Sequence, residues 1–239
     1  MTIFFCDLDK TLIHSYKVAR KGDICVEIFK KDLSFMSREA YLLLKEIAQK
    51  CIFIPVTTRS LEQYRRIDLG ITPKYALAAQ GTILLIDGEP DVNWAHPSPI
   101  SGLFAELTKI EEQENLLHDI RLIDDFFISA KLNQPGTTPK FLQTAVAPHK
   151  LYAINSRVYI MPESVCKGVS VKRFLARFAK RLNPRQIICA GDSVLDIPMF
   201  EFADTAFHPS SLAVNRDNSQ AIDDENFPVE MLKHCLKML

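Results

Sequence analysis

The chain carries no net charge. Its 29 Lys and Arg balance its 29 Asp and Glu, so no overall field draws in nucleic acid or an anionic membrane. It also lacks long apolar runs: no stretch approaches the ~18 apolar residues of a membrane-spanning helix. The first such run, Ile3-Phe4-Phe5-Cys6, is too short and too soon acidic for a signal peptide. The expectation is a cytoplasmic protein with no nucleic-acid and no membrane partner. The six cysteines, at 6, 25, 51, 166, 189 and 235, show no CxxC or other metal spacing. Cys6, Cys51 and Cys189 lie in or beside apolar strand patterns and read as reduced small hydrophobes, with disulfide pairing as the alternative. No ligand spacing such as HExxH joins His96, His118, His149 and His208, which read as core or surface histidines. The single tryptophan, Trp94, reads as packing, and no internal repeat or low-complexity tract is present.

What the 239 residues do have is 47% hydrophobic content, enough for a substantial core or two unequal ones. They also have an acid pair in a telling place. The opening apolar run ends in Asp7-Leu8-Asp9-Lys10-Thr11, so a buried strand delivers two carboxylates to its C-terminal end, where open α/β sheets bind ligands. Side chains along a strand alternate with period two, so Asp7 and Asp9 point to the same side. Two such anions call for a metal, a shared proton, or both. Taken alone, the pattern is also that of a helix N-cap or a turn.

Three further places share the grammar of an apolar run followed by polar residues. Ile52-Phe53-Ile54-Pro55-Val56 ends in Thr57-Thr58-Arg59. Lys167-Gly168 precedes a helical pattern. Gln186-Ile187-Ile188-Cys189-Ala190 ends in Gly191-Asp192-Ser193-Val194-Leu195-Asp196. In order these supply an acid pair, a hydroxyl, a lysine and a second acid pair. Thr57 or Lys167 alone would read as structural; it is the four-part set that points to phosphoryl chemistry.

The set resembles the four motifs of the haloacid dehalogenase superfamily of phosphohydrolases: a DxDxT loop, a strand-end Ser or Thr, a Lys, and a GDxxxD loop. About 110 residues separate Thr57 from Lys167, so the long insertion follows the second motif. In the family this marks a type II cap. The segments around Thr57 and Asp192 resemble its IIB sugar phosphatase branch, the Cof, sucrose-phosphatase and mannosyl-3-phosphoglycerate-phosphatase group. Thr58 stands where that branch usually has Gly, and Gln80-Gly81 where it usually has Asn-Gly.

The resemblance implies an α/β fold, with a Rossmann-like parallel-sheet core at 1–82 and 165–239 and an inserted, smaller α+β cap at 83–164. It implies a Mg²⁺-dependent phosphatase acting on a small phosphorylated metabolite, a sugar or sugar-acid phosphate, by way of an aspartyl phosphate. The catalytic residues are then Asp7 as nucleophile, Asp9 as general acid and base, Thr57 and Lys167. Mg²⁺ is held by Asp7, the main-chain carbonyl of Asp9, and Asp192, with Asp196 supporting this shell or orienting Lys167. Thr58 and Arg59 border the substrate, although Arg59 reads equally as the partner of a core carboxylate. The alternatives are a phosphosugar mutase and a non-catalytic binding or regulatory protein on the same fold. Specificity is expected in cap loops.

Local patterns complete the expectation. Ser37 caps a helix running to about Lys50, and Ile24–Phe29 forms part of a flap hairpin. Residues 76–79 read as a further core strand, and 83–95 as a hairpin about Asp87-Gly88. Within the insertion, a helix fits Leu103 to about His118 and a strand Ile120 to Lys131. Pro135-Gly136 breaks the chain before a short helix, and strands follow near 151–154 and 157–161. A helix over 169–181 interleaves Lys172, Arg173, Arg177, Lys180 and Arg181 with Val171, Phe174, Leu175 and Phe178, a solvated face over a core stripe rather than a nucleic-acid patch. Residues 228–239 read as a closing helix.

Overall fold

The computed structural model describes residues 1–94, 97, 99–114, 117–134, 142 and 146–239. It divides into a larger unit, Met1–Trp94 with Cys166–Leu239, and a smaller one, Ala95–Val165. Before the insertion the strands are β1 (Thr2–Cys6), β2 (His14–Ser15), β3 (Ile24–Phe29), β4 (Lys31–Met36), β5 (Ile52–Pro55), β6 (Tyr75–Ala78), β7 (Ile83–Ile86) and β8 (Glu89–Pro90). The smaller unit holds β9 (Leu117–Ile123), β10 (Phe127–Leu132), β11 (Lys150–Ile154) and β12 (Arg157–Met161). After it come β13 (Gln186–Ala190), β14 (Thr205–Pro209) and β15 (Ser219–Ile222).

The larger unit is built on a parallel five-stranded sheet ordered β15-β14-β13-β1-β5. A strand covered on both faces needs apolar side chains at every position rather than at alternate ones, and Ile3, Phe4, Phe5 and Cys6 of β1 are all fully buried. Phe4 and Cys6 join a core with the Arg38–Lys50 and Phe227–Met238 helices, while Ile3 and Phe5 join the opposite core with Val171, Phe174 and Phe178 of the Lys167–Leu182 helix. Phe174 lies edge-on to Phe5 and to Tyr75, with ring centroids 5.6 and 5.1 Å away. Ser37 caps its helix by accepting from the Ala40 N–H at 3.2 Å. β3 and β4 pair as the expected flap.

Within the larger unit, two features differ from the sequence reading. β6 meets β5 through a single parallel bridge, Val56 to Leu77, and otherwise pairs with β7 in an antiparallel hairpin. The hairpin about Asp87-Gly88 forms, with φ of 51° and 86° at the two turn residues, the left-handed pair that a tight hairpin turn requires. The sequence places this hairpin and Trp94 in the cap from residue 83. In the structure β7 is held by β6, and Trp94 packs in the larger unit, its Nε1–H donating to the Gly81 carbonyl at 3.0 Å with the Arg173 guanidinium over its ring. The chain therefore leaves the larger unit after Trp94 and re-enters it at Cys166.

The smaller unit is a four-stranded antiparallel sheet, β11-β12-β10-β9, with the Ser101–Glu114 helix and a core that includes Leu107, Leu117, Ile128, Val158 and Ile160. The helix ends at Glu114, not near His118, because Leu117 and His118 are already in β9. The strand expected over 120–131 is two strands joined by a turn in which Asp124 and Asp125 take φ of 44° and 66°. Aspartate tolerates that left-handed region, so the turn forms without the glycine that would have announced it. His96, the break at Pro135-Gly136 and the short helix expected after it lie outside the described residues. All six cysteines are free, with Cys6, Cys189 and Cys235 buried. Among the described residues, no helix is long and apolar enough to cross a membrane.

Candidate active site

Three neighbouring strands, β5, β1 and β13, end together and carry the polar segments side by side. The Asp7 N–H donates to the Ala190 carbonyl at 2.9 Å and the Val56 N–H to the Cys6 carbonyl at 2.8 Å, extending both ladders to the threshold of the site. Lys167 is the first residue of its helix, and its buried ammonium donates to Asp7 Oδ1 and, at 2.6 Å, to Asp196 Oδ1. The other oxygen of Asp196 accepts from the Ser193 N–H at 2.9 Å and hydroxyl at 2.7 Å. The other oxygen of Asp7 accepts from the Thr11 hydroxyl at 3.1 Å, and that hydroxyl lies 3.4 Å from Asp192 Oδ1. Gly191 is required here by close approach, since a Cβ on it would stand 2.3 Å from Cβ of Asp196.

Asp7, Asp192 and Asp196 each offer an oxygen within 4.8 Å of the others. Three carboxylates against one ammonium leave an excess of negative charge. Burial pushes the Asp7 carboxyl well above its usual range, with Lys167 opposing and Asp196 adding to the rise. Burial and the Asp196 charge push Asp192 up to about 7. Burial alone would lower the Lys167 ammonium, but Asp196 and Asp7 outweigh it and hold the side chain cationic. A divalent cation would offset this imbalance, and the all-oxygen donor set suits a hard ion such as Mg²⁺. Asp192 has the freer carboxylate for it, with only the Thr11 hydroxyl near Oδ1, whereas both oxygens of Asp7 and both of Asp196 already accept hydrogen bonds.

Asp9 differs from Asp7 in exposure, 46% against 6% for the side chains. Arg59 grips it bidentately, Nε to Oδ2 and Nη2 to Oδ1, both at 2.7 Å. Arg59 also donates to Glu27 Oε2 at 2.8 Å and to the Ser34 hydroxyl at 3.1 Å. Arg59 thus pairs with two carboxylates at the edge of the site. Thr57 is fully buried at the end of β5 and accepts from the Arg59 N–H at 3.2 Å, leaving its hydroxyl proton to donate; Thr58 is partly exposed beside it. The eight sequence-derived site residues thus fall at one end of one sheet. Sequence reasoning missed Thr11 and Ser193 as ligands of the acids, and Glu27 and Ser34 altogether. Thr11 and Ser193 stand inside the motif loops; Glu27 showed as a lone charge within an apolar strand.

No family model and no curated protein matches the chain. Solved structures do. The C-terminal domain of trehalose-6-phosphate phosphatase from C. albicans is similar over 100% of this chain and 92% of its own, at 12% identity and a TM-score of 0.69. A subclass IIB sugar phosphatase of the haloacid dehalogenase superfamily is similar over the full length of both chains, at 12% identity and a TM-score of 0.67. Sucrose-phosphatase from Synechocystis, solved with sucrose and phosphate, is similar over 98% of this chain and 97% of its own, at 16% identity and a TM-score of 0.63. The chain has the fold of the haloacid dehalogenase superfamily phosphatases, subclass IIB sugar phosphatases among them: a parallel α/β core interrupted by an α+β unit.

Proposed function

We propose that this protein is a Mg²⁺-dependent phosphohydrolase of a small phosphomonoester, a phosphorylated sugar or sugar acid, working through an aspartyl phosphate on Asp7. The observation that carries the reading is the buried Lys167 ammonium bridging Asp7 and Asp196, with Asp192 in reach of both and the exposed Asp9 two residues beyond Asp7. The similarity to phosphatases of sugars and sugar phosphates supports the substrate class.

A phosphomonoester resists attack because its charge repels nucleophiles, so catalysis needs an aligned attacker and positive charge around the phosphoryl group. Lys167 and Thr11 each hold one oxygen of Asp7, fixing the plane of the nucleophilic carboxylate. Lys167 supplies positive charge, Asp196 orients it, and the Thr57 hydroxyl donates to a phosphoryl oxygen. Asp9 protonates the leaving alcohol, then takes a proton from the water that attacks the acyl phosphate. Asp7, Asp192 and the Asp9 carbonyl would hold Mg²⁺, which when bound would supply further positive charge to the phosphoryl group. Thr58 and Arg59 border the leaving group.

Phosphate release from a panel of phosphorylated metabolites, with Mg²⁺, tests this. Release by the wild type is expected to disappear in Asp7→Asn and in EDTA. Activity that persists in Asp7→Asn would overturn the assignment of the nucleophile, and activity dependent on a bisphosphate activator with little phosphate released would identify a mutase.

A further inference from the structure

The flap carries a feature that the phosphatase reading does not use. Glu27 lies on β3 with its side chain only 2% exposed. Its carboxylate accepts from the Ser34 hydroxyl at 2.6 Å, from Arg59 Nη1 at 2.8 Å and from Arg66 Nε at 3.2 Å. Burying a carboxylate is costly unless it is fully paired, and here two guanidinium groups and a hydroxyl pair it. The backbone is shaped to place it. The register of β3 against β4 shifts on both sides of Glu27, which comes to stand opposite Ser34. Strict alternation would turn Val26 and Glu27 to opposite faces, yet both are buried. A bulge is the device by which a strand re-aims one side chain, and bulges are enriched next to active sites.

Glu27 does not touch Asp9. Arg59 lies between them, one edge of its guanidinium on Asp9 and the remaining Nη on Glu27, with Ser34 bonded to both Arg59 and Glu27. Asp9 is itself half exposed and has no comparable enclosure. The geometry points to Glu27 and Ser34 as positioning residues that hold Arg59 in the orientation from which it aligns the Asp9 carboxyl for proton transfer. This rests on the phosphatase reading and extends its machinery from the strand ends into the flap.

The test separates proton delivery from general damage. Cleavage of benzyl phosphate expels a poor leaving group that needs a proton; 4-nitrophenyl phosphate expels a stable phenolate that does not. General acid catalysis contributes on the order of 10² to 10⁴, so Glu27→Gln is expected to lose about tenfold or more in kcat/KM on benzyl phosphate and less than about threefold on 4-nitrophenyl phosphate. Ser34→Ala, which removes a hydroxyl but no charge, is expected to show the same selectivity at smaller size and decides the matter if Glu27→Gln fails to fold. Equal losses on both esters, or none, would overturn the inference while leaving the phosphatase intact. No release by the wild type from either ester or from any member of the metabolite panel would overturn both.

Discussion

Lys167 is 1% exposed, and its ammonium touches two buried carboxylates. Breaking a buried ion pair from one side leaves uncompensated charge, at a cost of about 3 to 5 kcal/mol. Lys167→Met, which keeps the volume and removes the charge, is expected to lower stability by about that amount in urea titrations without metal. It should also reduce phosphate release to the Asp7→Asn background. A variant as stable as the wild type would show that the cluster is not held by this cation. The residues that carry charge were the legible part of the site, because acids, a lysine and a strand-end hydroxyl announce themselves at the boundary between apolar and polar sequence. Thr11 and Ser193 were less legible, since a hydroxyl in a loop reads equally well as a turn residue. Glu27 was not legible as part of the site, because its inward aim depends on a shifted register that no local pattern encodes.

Among the elements, the Lys167–Leu182 helix does two things at once. Its first residue supplies the ammonium, and its apolar stripe, through Phe174, anchors it to β1 and β6 by way of Phe5 and Tyr75. Removing a buried aromatic costs about 3 to 5 kcal/mol, so Phe174→Ala should cut the unfolding free energy by about that much. It should also loosen the frame from which Lys167 is held, lowering kcat more than it raises KM. A melt unchanged by the substitution would rule out that anchoring. The helix and the strands of the central sheet were readable because their apolar periods are long and consistent. The turn at Asp124-Asp125 was not, since two aspartates in left-handed geometry replaced the usual glycine signal. Nor was the ownership of the β7 hairpin, which is settled by pairing with β6 rather than by anything within 83–90.

Across the whole molecule, the acid cluster ties stability to pH and, on the phosphatase reading, to metal. Asp192 has an ordinary carboxyl value of 3.8 when unfolded and is pushed up to about 7 when folded. Between those values the folded state binds more protons than the unfolded one, so without metal this group removes stability as pH rises through the window. Metal must bind the ionised form. The rise in Tm on adding Mg²⁺ is therefore expected to be larger at about pH 8 than at about pH 5.5. By hydrogen exchange, the added protection should fall on the segments around Asp7 and Asp192 rather than on Ala95–Val165. An equal rise at both pH values would remove Asp192 from the metal site.

The interruption of the larger unit also governs how the chain must be assembled. β1 lies between β5, some fifty residues along the chain, and β13, whose Gln186 pairs with Thr2 across a separation of 184 residues. On a ribosome, one edge of β1 is satisfied early and the other waits until the whole insertion has been synthesised. Until then a largely apolar strand offers an open backbone edge, the kind of surface on which nascent chains mispair and on which chaperones act. Contacts of such long range also make for slow folding. The constellation of Asp7, Lys167 and Asp192 therefore comes together only when β13 joins β1, and a polypeptide stalled before Gln186 would hold Asp7, Asp9, Thr57 and Lys167 without Asp192 and Asp196.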